Sequence, residues 1–396
     1  RVLVERGQVE ASRKVATEMK REWRGDKQAE LAALITESMC LPIRGKQSKE
    51  FSFTKFINQN NNSNTLKNHA YTLEFTANPA WYAVQSLPYL MEYPYECSEQ
   101  TFARYYANAL ASHIANSKPK IKQVFESWKT SSPETFYSNL QKNEELKAVL
   151  LQETPWVLES KNESENKKRV ALLFDLNKMS NELNAALLKL QQAQTSNGGW
   201  PWFKNCPEDW YITQYIATGF SHLNKLNVIS FEKNYTIKNM AYNAVSFCDR
   251  KLKQDFERIK KHNKNYLNEN HLSYMHIQYL YMRSYFSKEQ LAIPKSCNEA
   301  VEYFKKQAQK YWTQNSKYMQ GMLALSLNRF GDVKTATDIM KSLKEHALVN
   351  NEMGMYWKEN YGGYYWYQAP IEMQALMIEA FDEVSNDLKA VDDLKT

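Results

Sequence analysis

The chain has 396 residues, a formal charge of +7 at pH 7 and a mean hydropathy of −0.66; only 11 Gly and 11 Pro stand against 25 Tyr, 17 Phe, 14 Met and 10 Trp. That length buries a core without difficulty and suits one large domain with a small appendage, and so few breakers favour helices. The absence of a long apolar run excludes a membrane-spanning helix, and the dispersed positive charge, densest at Lys167-Lys168-Arg169 and Arg258 to Lys264, reads as solvated helix faces rather than a nucleic-acid surface.

In chain order, residues 1–38 predict helices, with "QVEASRKVATEMKREW" and "QAELAALITES" on either side of a turn at Gly25-Asp26. "KEFSFTKFI" (Lys49 to Ile57) and "NHAYTLEFT" (Asn68 to Thr76) alternate polar and apolar residues around the loop "NQNNNSN" and predict two strands. Two strands are not stable alone, so 1–77 is expected to hold helices plus two strands that either pack on the helical body or belong to a larger β-domain. The chain opens at Arg1 with no initiator methionine or signal-like segment, which reads as a mature product or an excised piece.

From Asn78 the pattern turns helical. Phe102, Tyr105, Tyr106, Ala109, Leu110 and Ile114 share one helical face, as do Leu172, Leu173, Leu176, Met179, Leu183, Leu187 and Leu190. "YMQGMLALSLNRFGDVKTATDIMKSL" predicts a helical hairpin turning at Gly331-Asp332. "NGGWPWF" (Asn197 to Phe203) and "YGGYYWY" (Tyr361 to Tyr367) echo one another, and each precedes a helix, "YITQYIATGF" and "PIEMQALMIEAF". Two echoes half a turn apart, with no short period, fit a closed α/α toroid over 78–390 better than a solenoid.

The chemistry concentrates in "YPYECSEQ". Ser98 reads as a helix N-cap with Glu99 in the first turn, which sets Cys97 beside backbone N–H groups that stabilise a thiolate. Gln100, three residues on, returns to the same side of the turn. Attack of the sulfur on the carboxamide with loss of ammonia gives an internal thioester, an exchange made conceivable by an effective molarity that reaches ~10⁵ M in well-oriented cases. The product is a stored electrophile that an amine, hydroxyl or water can open. The remaining cysteines, Cys40, Cys206, Cys248 and Cys297, are scattered, with no zinc spacing, and no metal or other cofactor is called for.

"YPYECSEQ" resembles the thioester signature of the α2-macroglobulin and complement family, and "TESMCLPIRG", "FTANPAWYAVQSLPYLMEYPYECSEQ", "NGGWPWF…YITQYI" and "PIEMQALMIEAF" look like its bacterial members, in family order from about Thr36 to Phe381. The resemblance implies that Cys97 and Gln100 are the thioester pair, Glu99 the acidic residue of the motif and Pro94 its preceding proline. It implies a thioester domain within a periplasmic or cell-envelope protease inhibitor that is not an enzyme. Its partners would be proteases, trapped covalently through lysine amines, and other domains of the parent protein. Tyr93, Tyr95, Trp200, Trp202, Trp366 and Glu372 are the residues expected to shield or contact the bond. Glu96 departs from the family, where Gly is commoner, and no His lies between Trp200 and Thr213 to redirect the thioester to hydroxyls.

Plainer roles stand beside these. His276, on an aromatic helix, reads as a wall residue, and its five-residue offset from His271 is awkward for joint ligation. The Trp200, Trp202 and Phe203 cluster suits packing between hairpins, and Glu372 after Pro370 suits a helix start. "QTSNGGW" also resembles repeats of toroidal terpene cyclases, which leaves a toroid enzyme, or a binding module without a formed thioester, as alternatives.

Overall fold

The computed structural model describes residues 96–117 and 176–396 apart from 287–289, 351–352 and 364–367, together with positions 48, 50, 87, 90 and 123. The expected helices at 1–38, the strands at 49–57 and 68–76, and Leu172 and Leu173 lie outside the described residues. The described chain is mainly α: α1 (Ser98–Ser117), α2 (Leu176–Ala193), α3 (Trp210–Lys225), α4 (Tyr235–His262), α5 (Tyr274–Arg283), α6 (Asn298–Tyr311), α7 (Lys317–Arg329), α8 (Val333–Glu345), α9 (Pro370–Glu383) and α10 (Leu388–Lys395). Two antiparallel ribbons interrupt them, β1 (Trp200–Pro201) with β2 (Glu208–Asp209) and β3 (Leu348–Asn350) with β4 (Gly354–Tyr356).

Local chemistry explains where the helices begin and end. The side chains of Asp209, Asn234, Ser316, Asp332 and Asp387 each accept a hydrogen bond from the backbone N–H three residues on, satisfying one open donor of α3, α4, α7, α8 and α10. After α3, α7 and α9 the chain passes through Asn227, Gly331 and Asn386 at positive φ. That left-handed residue stops the helix and turns the chain back. The hairpin expected at Gly331-Asp332 is present, and both helices that follow the aromatic Gly-Gly segments are present as α3 and α9.

Packing sorts the helices into two ranks. The odd-numbered helices touch in the order α1, α3, α5, α7, α9, and each carries its even-numbered successor on its outer side. The two ranks alternate along the described chain, helix packed on helix. The inner helices run parallel: Tyr211 and Tyr274, in the first turns of α3 and α5, pack 6.2 Å apart, while His222 and Tyr281, further along the same helices, are hydrogen-bonded at 2.9 Å.

Glycine brings α1 against α3. A Cβ on Gly219 would stand 2.2 Å from the Phe102 ring, which packs edge-on against Phe220 at 5.0 Å and Tyr215 at 5.9 Å. Gly219→Ala is expected to destabilise the fold by about 1–3 kcal/mol, because the buried Phe102 ring, packed against Phe220 and Tyr215, has no room to retreat. A urea midpoint unchanged from the parent protein would show that the two helices can part without cost.

Candidate functional site

Parallel inner helices gather their N-termini at one end, and Cys97 stands there at the mouth of α1. The N-cap is Cys97 rather than the expected Ser98. Its carbonyl accepts from the Thr101 N–H at 2.9 Å, and its Sγ accepts from the Gln100 N–H at 3.4 Å. The sulfur therefore occupies the place that an Asp or Ser oxygen takes at other helix starts, and Gln100 is the third helical residue, half-buried one turn in. Cys97 is itself buried, 6% exposed, and its Sγ lies 3.9 Å from Glu99 Oε2. Burial pushes the Glu99 carboxyl up, and its hydrogen bond to Cys97 pulls the other way. A carboxylate so placed can take the thiol proton and return it.

The first aromatic Gly-Gly segment reaches this mouth. The Ser98 N–H, an open donor of α1, is accepted by the Trp202 carbonyl at 3.0 Å. The segment is held in turn by Trp200, fully buried, whose indole donates to the Leu190 carbonyl at 2.8 Å and whose N–H donates to Thr213 Oγ1 at 2.9 Å. Gly198 makes the turn possible at φ +89°, where a Cβ would meet the Asn243 carbonyl oxygen at 2.4 Å. Trp200 is thus a packing residue that positions the loop, while Trp202 contributes its carbonyl to α1 and stacks its ring on Tyr211 at 6.3 Å.

Phenols line the rest of this end. Tyr211 and Tyr215 come from α3, Tyr274 from the start of α5 and Tyr318 from the start of α7; the hydroxyls of Tyr211 and Tyr274 are hydrogen-bonded to each other. Glu372, in the first turn of α9, acts electrostatically on all four. Burial first, then the carboxylates, holds these phenols protonated, with Tyr211 pushed up to about 12. The tyrosine wall was missed by sequence reasoning, although the spacing Tyr274, Tyr281, Tyr285 along one helix face hinted at an aromatic inner surface.

Of the residues expected at the site, Cys97, Glu99, Gln100, Trp202 and Glu372 fall at this end, Trp200 supports it from behind, and Tyr93, Pro94, Tyr95 and Trp366 lie outside the described residues. Glu96 turns away from the sulfur to pair with Lys189 on α2, which lowers its carboxyl pKa. Trp357, buried next to β4, is a structural parallel of Trp200: its indole N–H donates to the Leu343 carbonyl of α8 at 2.9 Å, as Trp200 donates to α2, while Trp366 of the sequence echo lies outside the described residues. His276 is the wall residue expected, its Nε2 2.8 Å from Asp255 Oδ2 and its ring stacked on Phe304 at 3.8 Å.

At the other end of the inner helices Glu379 collects Tyr281, Tyr285 and Arg329 at 2.5–2.7 Å. Among the described residues no helix is long and apolar enough to cross a membrane, and no group of three or more His, Cys, Asp or Glu side chains is placed to hold a metal ion. Compared with known proteins, the chain matches no family model and no curated sequence.

Proposed function

We propose that Cys97 and Gln100 form an internal thioester, and that the chain is the thioester-bearing part of a larger α2-macroglobulin-like protease inhibitor of the bacterial periplasm or cell envelope. The observation that carries the reading is the cap geometry: the sulfur is held by the N–H of the very residue whose carboxamide it would attack, with Glu99 beside it. In forming the bond, Sγ adds to the Gln100 carboxamide carbon, the C–N bond breaks, and the thiol proton leaves with ammonia by way of Glu99. In discharge, a lysine amine of the attacking protease adds to that carbon and the electron pair of the C–S bond returns to sulfur. One molecule reacts once, so the module is a reagent rather than an enzyme.

A second reading draws on the acidic, phenol-lined end of the inner helices, which also suits a toroid enzyme acting on isoprenoids or glycans and leaves Cys97 dispensable. Peptide-mapped mass spectrometry separates the two. Denatured in a thiol alkylator, Cys97 is expected to resist modification until methylamine has added to Gln100. Immediate alkylation of Cys97, with residue 100 an unmodified glutamine, would show that no thioester forms and would favour a toroid that binds or catalyses by other means. A free thiol with glutamate at position 100 would mark a bond formed and then hydrolysed.

A further inference from the structure

Tyr318 and Glu372 stand in the first turns of neighbouring helices: α7 and α9 pack with Gly321 against Leu376 and Met377 and meet again where Arg329 reaches Glu379 and Glu383. Among the groups acting on the phenols of Tyr211, Tyr215, Tyr274 and Tyr318, besides other tyrosines, are the carboxylates Glu99, Glu372 and Asp209. The rings themselves form a wall: Tyr211 lies 6.4 Å from Tyr215 and 6.2 Å from Tyr274, with Trp202 behind it. Tyr215 and Tyr318 are half-buried, and their hydroxyls have no hydrogen-bond partner among the described residues. Aromatic faces carry negative quadrupole density and hold a cation within about 6 Å of a ring centroid. The helix N-termini at this end favour anions instead, but their field falls off within the first turn, where Glu99 and Glu372 already offset it.

We propose that Glu372, with the rings of Tyr211, Tyr274 and Tyr318, is the recognition site for the alkylammonium group of the acceptor, selecting lysine-like side chains over hydroxyls and water. The chemistry downstream rests on the thioester reading; the recognition rests on the side chains at this end. Held there, the ammonium gives one proton to Glu372, and its nitrogen adds to the residue 100 carbonyl carbon. The C–S bond breaks, the electron pair goes to Cys97 Sγ, and the second proton leaves the nitrogen for Glu99, which passes it to that sulfur 3.9 Å away.

The test uses the Cys97→Ser protein, which keeps a cap oxygen and forms no thioester. Ligand-observed NMR follows Nα-acetyl-lysine methylamide and its neutral norleucine counterpart. Saturable binding of the lysine compound alone is expected, weakened about tenfold by Glu372→Gln, a substitution at an exposed position that spares the fold, and further by Tyr318→Leu. Equal binding of the norleucine compound, no binding of either, or an unchanged affinity in Glu372→Gln overturns the proposal. Failure of the thioester itself is read separately, in the wild-type protein, by the methylamine experiment above; lysine binding without thioester chemistry sinks that reading and leaves the recognition site standing.

Discussion

Arg329→Met is expected to cost about 3–5 kcal/mol, because the guanidinium is the main counter-charge for two carboxylates at the C-terminal end of the inner helices. Its Nε donates to Glu383 Oε1 at 2.6 Å and its Nη2 to Glu379 Oε1 at 2.7 Å, and it lies 4.0 Å over the Tyr285 ring. The substitution leaves Glu379 and Glu383 with Lys225 alone as a cationic partner, since burial keeps His222 neutral at pH 7. Burial by itself would raise the Glu379 carboxyl, but His222, which becomes charged only as the pH falls, then Arg329 and the Tyr281 and Tyr285 hydroxyls outweigh it and bring it to about 2, against 4.5 for an ordinary glutamate. A folded-state value below the unfolded one stabilises above pH 4.5, and that contribution, about 3 kcal/mol for a shift of this size, is lost as the pH falls from 4.5 towards 2. Urea denaturation across this range should show the loss in the parent protein and an acid limb moved to higher pH in Arg329→Met. Identical acid limbs would mean that Glu379 is held by His222 and its tyrosines without Arg329.

Asp249→Ala is expected to be as damaging at the outer wall. Asp249 and Arg283 have side chains 2% and 1% exposed; Arg283 Nε donates to Asp249 Oδ1 at 3.1 Å, and the Tyr279 hydroxyl donates to the same oxygen at 2.6 Å. The other guanidinium nitrogens reach the carbonyls of Phe286 and Leu291, so the group pins α4, α5 and the loop after α5 together. Removing the carboxylate strands a buried cation, for a loss of about 3–5 kcal/mol in equilibrium denaturation. Asp249→Ala combined with Arg283→Met should recover part of the loss, since no unpaired charge then remains. A double substitution as damaging as the sum of the two singles would show that the pair acts through packing.

Much of the helical plan was legible before any coordinates. Gly331-Asp332 announces a hairpin because only a left-handed residue followed by a capping carboxylate ends one helix and opens the next within two positions. The helices after the aromatic Gly-Gly segments could be read from their periodicity. The likeness of Trp200 and Trp357 could not, since their role depends on which carbonyl, Leu190 or Leu343, each indole meets. Ser98 reads from the sequence as the cap because hydroxyls suit that role, and only the folded turn shows the Cys97 sulfur accepting from the Gln100 N–H.

By itself, the sequence determined that the described part of the chain is mainly helical, that one helix stops and the next begins at Gly331-Asp332, and that a cysteine, a glutamate and a glutamine share the start of another. These are properties of neighbours along the chain, governed by local propensity, capping and spacing. Tertiary structure alone decided that the first turns of α1, α3, α5, α7 and α9 gather at one end, where the Trp202 carbonyl meets the Ser98 N–H next to Cys97 and the Trp202 ring stacks on Tyr211. It also sent Glu96 outward to Lys189 and assembled Arg329 with Glu379 at the opposite end. Those pairings join residues far apart in the chain, and only the parallel packing of the inner helices brings them within reach.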